Sequence, residues 1–325
     1  MYKKEDIREL LPKVAREKFD DIVLSRVLGA NAHIKLIGEI LIDISNDSFI
    51  NSDVMLENIG IVANFFKETR GQQSRAIYNA INRFTCGFDK LKLSNKEEII
   101  NTVYKQISNY EKFAKEDIDT LVSYGVNLCE NMTKIMVFDY SSTVNAFLKV
   151  LPANIEIYIP ESRALDGGRP FVATAVEAGH IVHFIPDTTM MSALKECQAA
   201  FMGAETIYPD GTVFNTIGSD VLSVICEYLK KPLYVLTPLI KVDTRPTKGY
   251  VRLSSMPFDY GDRLASHWDS DIRSKVDFSG FKLLEINANK ITSFITEKGI
   301  IPPASLYYIS MEYASNLEGN DKNEY

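Results

Sequence analysis

Three short apolar runs in the second half of the chain constrain its fold more than any other feature. IEIYI starts at residue 155, HIVHFI at 180 and AAFMGA at 199. A helix-length segment separates each run from the next, and each run ends in polar or glycine-containing residues. This alternation predicts a β-α-β-α-β arrangement around a parallel sheet.

The residues that follow these runs are the first candidates for function. In parallel sheets of this kind, ligands bind just beyond the carboxyl ends of the strands. Arg163, Asp187 and Glu205 lie among the polar or glycine-containing residues at the ends of the three runs. We therefore expect these side chains to face one crevice.

The flanking sequence extends the pattern to an α/β chain of two domains. KIMVFDYS, from residue 134, and PLYVLTPL, from residue 232, are two further predicted strands, so that five parallel strands form a Rossmann-like C-terminal domain at 126–325. Residues 1–125 carry apolar side chains at spacings of three and four, which predicts a helical N-terminal domain of five or six helices.

After the last of these strands the pattern becomes irregular. The stretch 241–275 contains prolines and glycines among mixed charges, and we interpret it as a long loop. Residues 283–299 carry a helix-like apolar spacing before Gly299 and two prolines, which predicts a helix that ends at this glycine.

Composition excludes several classes of protein. The net charge of −7 and the lack of a dense Lys/Arg stripe argue against a nucleic-acid partner. No apolar run approaches the roughly 18 residues that span a bilayer, and the charged N-terminus has no apolar signal core. We therefore expect no membrane partner and a cytoplasmic location. The four cysteines and four histidines lack metal-ligand spacing, and neither GxGxxG nor GxxxxGK[ST] occurs, so no metal and no cofactor are expected.

Two predicted helices begin at the crevice, where their exposed amides and dipoles favour negative charge. The first follows a Gly-Gly pair with an arginine on either side, and the second follows an Asn-Thr-Ile-Gly sequence. The candidate anion ligands in this half of the chain are Arg163, Gly168, Arg169, Asn215 and Gly218.

Glu205 ends the predicted strand between these two helices. A carboxylate among anion-binding elements suits a general acid or base that acts on a phosphorylated substrate. A structural ion pair of Glu205 with Arg163 or Arg169 is the alternative, and the sequence leaves both open.

Two loops of the helical half also suit an anion. Gly29 precedes a helix-like stretch that starts at Ala30, and a glycine there lets backbone amides approach an anion. A plain turn is the alternative. Arg70 or Arg75, near another predicted helix start, could hold a phosphate, although arginines at such positions are commonly solvated.

Several short motifs resemble those of one known family, in the family's order over most of the chain. The segments Glu161–Arg163 with Gly168-Arg169, Gly203–Glu205 with Asn215–Ser219, and Thr296–Pro303 look like ETRPxxQGxR, GAD…NKIGT and TExGxIxP, respectively. Leu28–Asn31 resembles RGAP, and Thr69-Arg70 with Asn79 resembles the start of an RPTxVNL helix. The chain is identified as a member of the family of regulatory subunits (alpha, beta and delta) of translation initiation factor 2B. This family also holds methylthioribose-1-phosphate isomerase and ribose-1,5-bisphosphate isomerase.

The resemblance implies a phosphosugar pocket between a helical and a Rossmann-like domain, and a homodimer formed through the latter. The isomerases convert a phosphorylated aldose to a ketose with a cysteine after the first strand and the aspartate of GAD. The positions that the resemblance and the helix starts together indicate for ligand binding are Gly29, Ala30, Arg70, Arg163, Gly168, Arg169, Asn215 and Gly218.

This sequence departs from the isomerase pattern where the chemistry takes place. Tyr140 and Ser141 stand near the expected cysteine, and Glu205 replaces the aspartate. The expected glutamine, lysine and arginine are replaced by Gly167, Thr216 and Leu28. Each lost charged hydrogen bond to phosphate is worth roughly 1.5 to 3 kcal/mol, so the usual reaction and phosphate capture are both weakened.

Two hypotheses follow. In the first, the protein binds a phosphorylated sugar or nucleotide without the standard isomerase activity. In the second, it is an aldose-ketose isomerase or related enzyme for a different sugar phosphate, with Glu205 as acid or base and Tyr140, Asp139 or Asp187 as its partner. A purely structural or interaction role is a third, weaker interpretation.

Overall fold

The computed structural model describes residues 3–24, 26–27, 29–92, 94–252 and 254–317. The chain packs into two compact units. The first, which we call the helical unit, comprises Met1–Glu116, Ile240–Val242 and Glu312–Tyr325, and the second, the α/β unit, comprises Asp117–Leu239 and Asp243–Met311. The domain division after residue 125 stays a prediction, since compactness does not establish where an independently folding domain ends.

The N-terminal part of the chain is helical, as predicted. Its helices are α1 (Lys4–Leu10), α2 (Lys13–Val23), α3 (Ala30–Ser45), α4 (Ser52–Glu68), α5 (Arg70–Gln73), α6 (Arg75–Phe84) and α7 (Lys96–Leu128).

The core of the helical unit follows from the apolar spacing of its helices. On α3, Ile34, Ile37, Leu41 and Ile44 are buried, which places one apolar stripe toward the core. The rings of Phe19, Phe65 and Phe66 pack together with centroids 5.4 to 5.6 Å apart. Such ring pairs add to the stabilisation that burial alone supplies.

The α/β unit contains two sheets and the helices around them. Its strands are β1 (Lys134–Phe138), β2 (Glu156–Pro160), β3 (Ile181–Ile185), β4 (Ala199–Met202), β5 (Thr206–Ile207), β6 (Val213–Thr216), β7 (Leu233–Leu236), β8 (Ser255–Asp259), β9 (Ser279–Ile286), β10 (Ser293–Thr296) and β11 (Gly299–Ile301). Its helices are α8 (Ser142–Val150), α9 (Arg169–Glu177), α10 (Met190–Glu196), α11 (Ser219–Leu229), α12 (Gly261–Leu264), α13 (Ser270–Arg273) and α14 (Leu306–Leu317), the last of which continues into residues of the helical unit.

The larger sheet has the strand order β11-β10-β7-β4-β1-β2-β3. All its neighbours are parallel except β10 and β11. The five strands predicted from the sequence are β1, β2, β3, β4 and β7, so the predicted α/β fold with a Rossmann-like sheet is confirmed. The chain runs outward from β1 through β2 to β3 and then returns to β4 on the other side of β1. This reversal creates a crevice at the carboxyl ends of the strands, where such folds bind ligands.

The second sheet corrects two predictions. Its order is β5-β6-β9-β8, and all its pairs are antiparallel. The helix predicted at 283–299 is wrong, because this segment contributes to β9 and forms β10, with a short turn at Ala288–Lys290 between them. The interpretation of 241–275 as one long loop is also wrong, since β8, α12 and α13 lie within it. Six residues, 287–292, separate β9 from β10, and the apolar residues of the two strands and of this connection together give a helix-like spacing.

No helix in the described ranges is both long and apolar enough to cross a membrane. The same residues contain no group of three or more His, Cys, Asp or Glu side chains placed to hold a metal ion.

Candidate functional site

The candidate site lies in the α/β unit, at the edge where the parallel strands end. Asp139 and Tyr140 follow β1, the loop 161–168 follows β2, Asp187 follows β3, and Glu205 lies shortly after β4. The residues predicted after the first three apolar runs thus lie at the same edge of the sheet.

The backbone of this edge is unusual in the half formed by β1 and β2. Asp139, Ser162 and Asp166 adopt the left-handed region, with φ of 53°, 49° and 58°. Non-glycine residues in this region cost free energy, and they persist where the surrounding structure holds them. Two of these three residues are joined directly by a hydrogen bond.

That hydrogen bond places a buried carboxylate at the centre of the edge. The Ser162 hydroxyl donates to Asp139 Oδ1 at 2.8 Å, and Asp139 is only 7% exposed. Burial raises the pKa of Asp139 above its ordinary value, although hydrogen bonds from the Thr216 hydroxyl, the Ser162 hydroxyl and the Tyr140 N–H act in the opposite direction. One side chain therefore connects the ends of β1 and β6 with the loop after β2.

Asp187 holds the same loop from the other side. The backbone N–H groups of Ser162 and Arg163 donate to Asp187 Oδ1 and Oδ2, each at 2.8 Å. Sequence analysis proposed Asp187 as a catalytic partner, and the structure engages both of its oxygens with the β2–α9 loop.

Two glycines make this arrangement possible. A Cβ on Gly167 would lie 1.9 Å from Asp139 Oδ1, and one on Gly168 would lie 2.0 Å from the carbonyl oxygen of Pro160. Both separations are far below van der Waals contact. The side chain of Asp139 thus occupies the space into which any side chain at position 167 would extend.

The predicted anion ligands of this half flank the start of α9. Gly168 directly precedes the helix. Arg163 and Arg169 are exposed, and Arg169 approaches Asp166 at 3.6 Å across two largely exposed side chains. An exposed pair of this kind contributes little to stability, so both guanidinium groups are accessible to an anion.

The half formed by β4 and β6 is arranged differently. The Glu205 N–H donates to the carbonyl of Phe214, but the Glu205 carboxylate makes no hydrogen bond or ion pair with any residue in the described part of the chain. The alternative of an ion pair with Arg163 or Arg169 is therefore not observed there. Asn215 Nδ2 donates to the Ser219 hydroxyl at 3.0 Å, next to the start of α11.

Gly218 precedes α11 with a φ of 96°. Its N–H donates to Asp220 Oδ1 at 2.9 Å, and a Cβ there would lie 2.6 Å from the Phe138 ring.

Tyr140 is 48% exposed, and its ring packs 5.5 Å from that of Phe171. The Tyr140 side chain thus borders the crevice from the end of β1.

The remaining predicted ligand-binding residues belong to the helical unit. Gly29 has a φ of 93° and directly precedes α3, whose first residue is Ala30. Arg70 begins α5, and its guanidinium donates to the Ile22 carbonyl. Leu28, which replaces an expected arginine, lies outside the described residues.

None of the four cysteines lies after a strand at the crevice edge. Cys86 is exposed in the helical unit, and the other three are buried. Burial raises the pKa of Cys129, Cys197 and Cys226 to about 12. Thiols in such surroundings stay protonated and inert near neutral pH.

Sequence reasoning did not select every side chain that the structure brings together at this edge. It named Asp139 only as one possible partner of Glu205, and it did not select Ser162. An acidic residue directly after β1 was the available signal, but the hydrogen bond to Ser162 depends on two left-handed residues that composition does not reveal.

A model of the Initiation factor 2 subunit family matches residues 27–303. The chain belongs to this family. The family resemblance inferred from short motifs is therefore confirmed over residues 27–303.

Curated relatives in the family carry isomerase names. The chain is similar to ribose 1,5-bisphosphate isomerase from Methanocaldococcus jannaschii, with 24% identity over 229 residues, which cover 70% of this chain and 70% of that protein. It is 27% identical to methylthioribose-1-phosphate isomerase from Bacillus thuringiensis over 220 residues. These residues cover 66% of this chain and 60% of that protein. The chain thus spans less than two thirds of the second relative.

A solved structure shows the same fold. The translation initiation factor eIF-2B from Pyrococcus horikoshii superposes with a TM-score of 0.71 at 19% sequence identity. The alignment covers 90% of this chain and 98% of that one. This likeness shows that the two chains share a fold.

Proposed function

We propose that the protein binds a phosphorylated sugar or nucleotide at the crevice edge without catalysing the cysteine-dependent isomerisation of its relatives. The observation that carries this proposal is the placement of the thiols. The three cysteines of the α/β unit are buried with pKa values near 12, and the end of β1 presents Tyr140 and Ser141 instead.

The anion-binding elements support a phosphorylated ligand. The exposed guanidinium groups of Arg163 and Arg169 flank the start of α9. The start of α11 adds Asn215 and Gly218, whose N–H groups donate to the Ser219 hydroxyl and to Asp220. Gly29, Ala30 and Arg70 of the helical unit stay candidate ligand positions that the family resemblance alone indicates. The names of the two curated relatives indicate that a sugar phosphate is the first ligand class to test.

Thermal shift measurements test this proposal. The panel contains ribose 1,5-bisphosphate, methylthioribose 1-phosphate, ribose 5-phosphate and adenosine monophosphate, with ribose and inorganic phosphate as controls. A ligand in large excess over its Kd raises the unfolding temperature by several degrees. We expect this rise with at least one phosphorylated sugar or nucleotide and not with ribose.

A matched pair of variants locates the site. Arg163→Ala is expected to weaken the stabilisation by the bound ligand, because it removes a charge at the crevice edge. Arg263→Ala removes another exposed charge, from α12 of the same unit, and is expected to leave the stabilisation by the ligand unchanged. If no phosphorylated compound stabilises the protein, the proposal is wrong.

An enzyme that acts on a different sugar phosphate is the second candidate function. It is favoured by Glu205, whose carboxylate has no hydrogen-bond partner in the described residues and is half-buried at the crevice edge. Such a carboxylate suits a general acid or base, with Tyr140 or Asp187 as its partner. NMR of the protein mixed with each binder detects aldose-ketose conversion, and turnover that Glu205→Gln abolishes supports this candidate.

Homodimerisation through the α/β unit and a cytoplasmic location are further proposals that rest on the family resemblance. Light scattering coupled to size-exclusion chromatography distinguishes a dimer from a monomer of 36.7 kDa. A monomer at all concentrations tested contradicts the first of these proposals.

A further inference from the structure

Asp139 and Asp187 hold the loop 161–168 from both sides, and we propose that they act as positioning residues that set this loop for ligand binding. We call the pair, together with Ser162, the carboxylate clamp. The loop conformation is its direct effect, and the consequence for ligand binding rests on the proposed function.

The first step of the argument is the number of contacts that meet at Ser162. Its hydroxyl donates to Asp139 and its N–H donates to Asp187, each at 2.8 Å. Both acceptors come from neighbouring strand ends, β1 and β3, so the loop after β2 is held between them. Ser162 is fully buried, and its hydroxyl is therefore a part of the clamp and does not reach a ligand.

The second step is the backbone conformation. Ser162 and Asp139 both adopt left-handed φ values, which an unsupported loop would leave. The loop closes on itself as well, because the N–H groups of Gly167 and Gly168 donate to the carbonyls of Ser162 and Glu161. Hydrogen bonds to charged groups are among the stronger ones in proteins. Here they fix Ser162, whose carbonyl accepts one of the hydrogen bonds within the loop.

The third step links the clamp to the ligand elements. Arg163 is the next residue after Ser162, and its own N–H donates to Asp187 at 2.8 Å. Gly168 ends the loop at the start of α9. The clamp therefore determines where the exposed guanidinium of Arg163 and the start of α9 lie with respect to each other.

Hydrogen exchange measures the clamp without any ligand. In Asp139→Ala and in Asp187→Ala, we expect the amides of 161–168 to exchange about tenfold to a hundredfold faster than in the wild type. Exchange in β4 is expected to stay unchanged. Asp262→Ala removes a highly exposed carboxylate of α12 and serves as the matched control.

Two milder variants protect the test against misfolding. Ser162→Ala removes one donor and keeps both carboxylates, and it should accelerate exchange in the same segment by a smaller factor. Asp139→Asn keeps an oxygen acceptor and should restore part of the protection that Asp139→Ala loses. Unchanged exchange at 161–168 in Asp139→Ala, Asp187→Ala and Ser162→Ala would overturn the clamp.

Titration calorimetry with ribose 1,5-bisphosphate and with inorganic phosphate tests the consequence for binding. We expect Asp139→Ala to weaken binding about tenfold, Asp139→Asn to weaken it less, and Asp262→Ala to leave it unchanged. Faster loop exchange with unaltered affinity overturns the positioning role. If the wild type binds no compound of the full panel, the proposed function fails, while the exchange data still decide whether the clamp exists.

Discussion

The two halves of the crevice edge use their carboxylates in different ways. In the half formed by β1, β2 and β3, Asp139 and Asp187 accept hydrogen bonds from the loop that follows β2. In the half formed by β4 and β6, Glu205 offers a carboxylate that engages none of the described residues. All three follow strands of the same sheet, so a position at a strand end does not define a role. The donors around each carboxylate do.

This comparison predicts that the first half tolerates little change in shape. The largest effect is expected for Gly168→Ala, because its Cβ would lie 2.0 Å from the Pro160 carbonyl oxygen, a backbone atom that cannot rotate away. We expect the free energy of unfolding to fall by about 3 kcal/mol. Urea unfolding followed by the fluorescence of Trp268, the single tryptophan and a residue of the α/β unit, measures this loss.

Gly60→Ala is the control for this substitution. A Cβ on Gly60, in α4, meets no atom within 4 Å, so the alanine is expected to leave the protein unchanged or to stabilise it by up to about 1 kcal/mol. Similar results for the two variants would contradict the close packing of the β2–α9 loop.

A second prediction couples the loop to the carboxylate beside it. Gly167→Ala is expected to cost about 2 kcal/mol, less than the change at Gly168, because the atom it meets, Asp139 Oδ1, belongs to a side chain that can move. In the Asp139→Gly background the same substitution should cost less than about 0.5 kcal/mol. The double-mutant cycle therefore yields an interaction energy above about 1 kcal/mol. Additive effects would show that the two positions do not share this space.

The sequence predicted the parallel sheet better than it predicted these contacts. The strands β1 to β4 and β7 are short apolar runs that end in turns. Helices with their own apolar spacing separate them along the chain, so the local sequence pattern agrees with the fold. The family motifs then indicated the start of α9 and Glu205 as parts of the site, which stays a prediction. Both inferences follow from properties of single segments.

The features that the sequence did not predict depend on segments that are distant along the chain. The sheet β5-β6-β9-β8 pairs residues near 213 with residues near 286. The sequence pattern of the segments that contain β8 and β9 is irregular, and it resembled a loop and a helix. The bond between Ser162 and Asp139 needs two left-handed residues, a conformation that serine and aspartate adopt only when tertiary contacts support it. The sequence therefore indicated Asp139 only as a possible catalytic partner and did not reveal its hydrogen bond to Ser162.

A fourth carboxylate, that of Glu297, extends the comparison to the pH dependence of stability. Glu297 lies between β10 and β11 and accepts the N–H of Leu239 at 3.1 Å. Burial raises its pKa from 4.5 to about 7, and the charge of Asp117 adds to this rise. A carboxyl whose pKa is raised by folding stabilises the protein in its protonated form, fully below pH 4.5, and this contribution is lost as the pH rises through about 7.

Glu297→Gln mimics the protonated form and keeps an oxygen that can accept the Leu239 N–H. We expect the variant to be more stable than the wild type at pH 8 by about 1 to 2 kcal/mol, and the difference to vanish near pH 4.5. Urea unfolding at a series of pH values checks this. A Gln variant that is less stable at pH 8 would mean that the ionised carboxylate is needed for the hydrogen bond.

The smallest effect on stability is expected at Glu205. Because its carboxylate engages no described residue, Glu205→Gln removes a charge without breaking a bond, and the free energy of unfolding should change by less than about 0.5 kcal/mol. The same unfolding measurement, beside Asp187→Asn, makes the comparison direct, since the amide at 187 places an N–H₂ group against a backbone N–H and should destabilise the α/β unit. A large loss of stability in Glu205→Gln would show that this carboxylate also holds structure, and the difference between the two halves of the crevice would disappear. A near-zero change would show that Glu205 is not needed for stability, so that its carboxylate is the one at this edge that is free to act on a ligand.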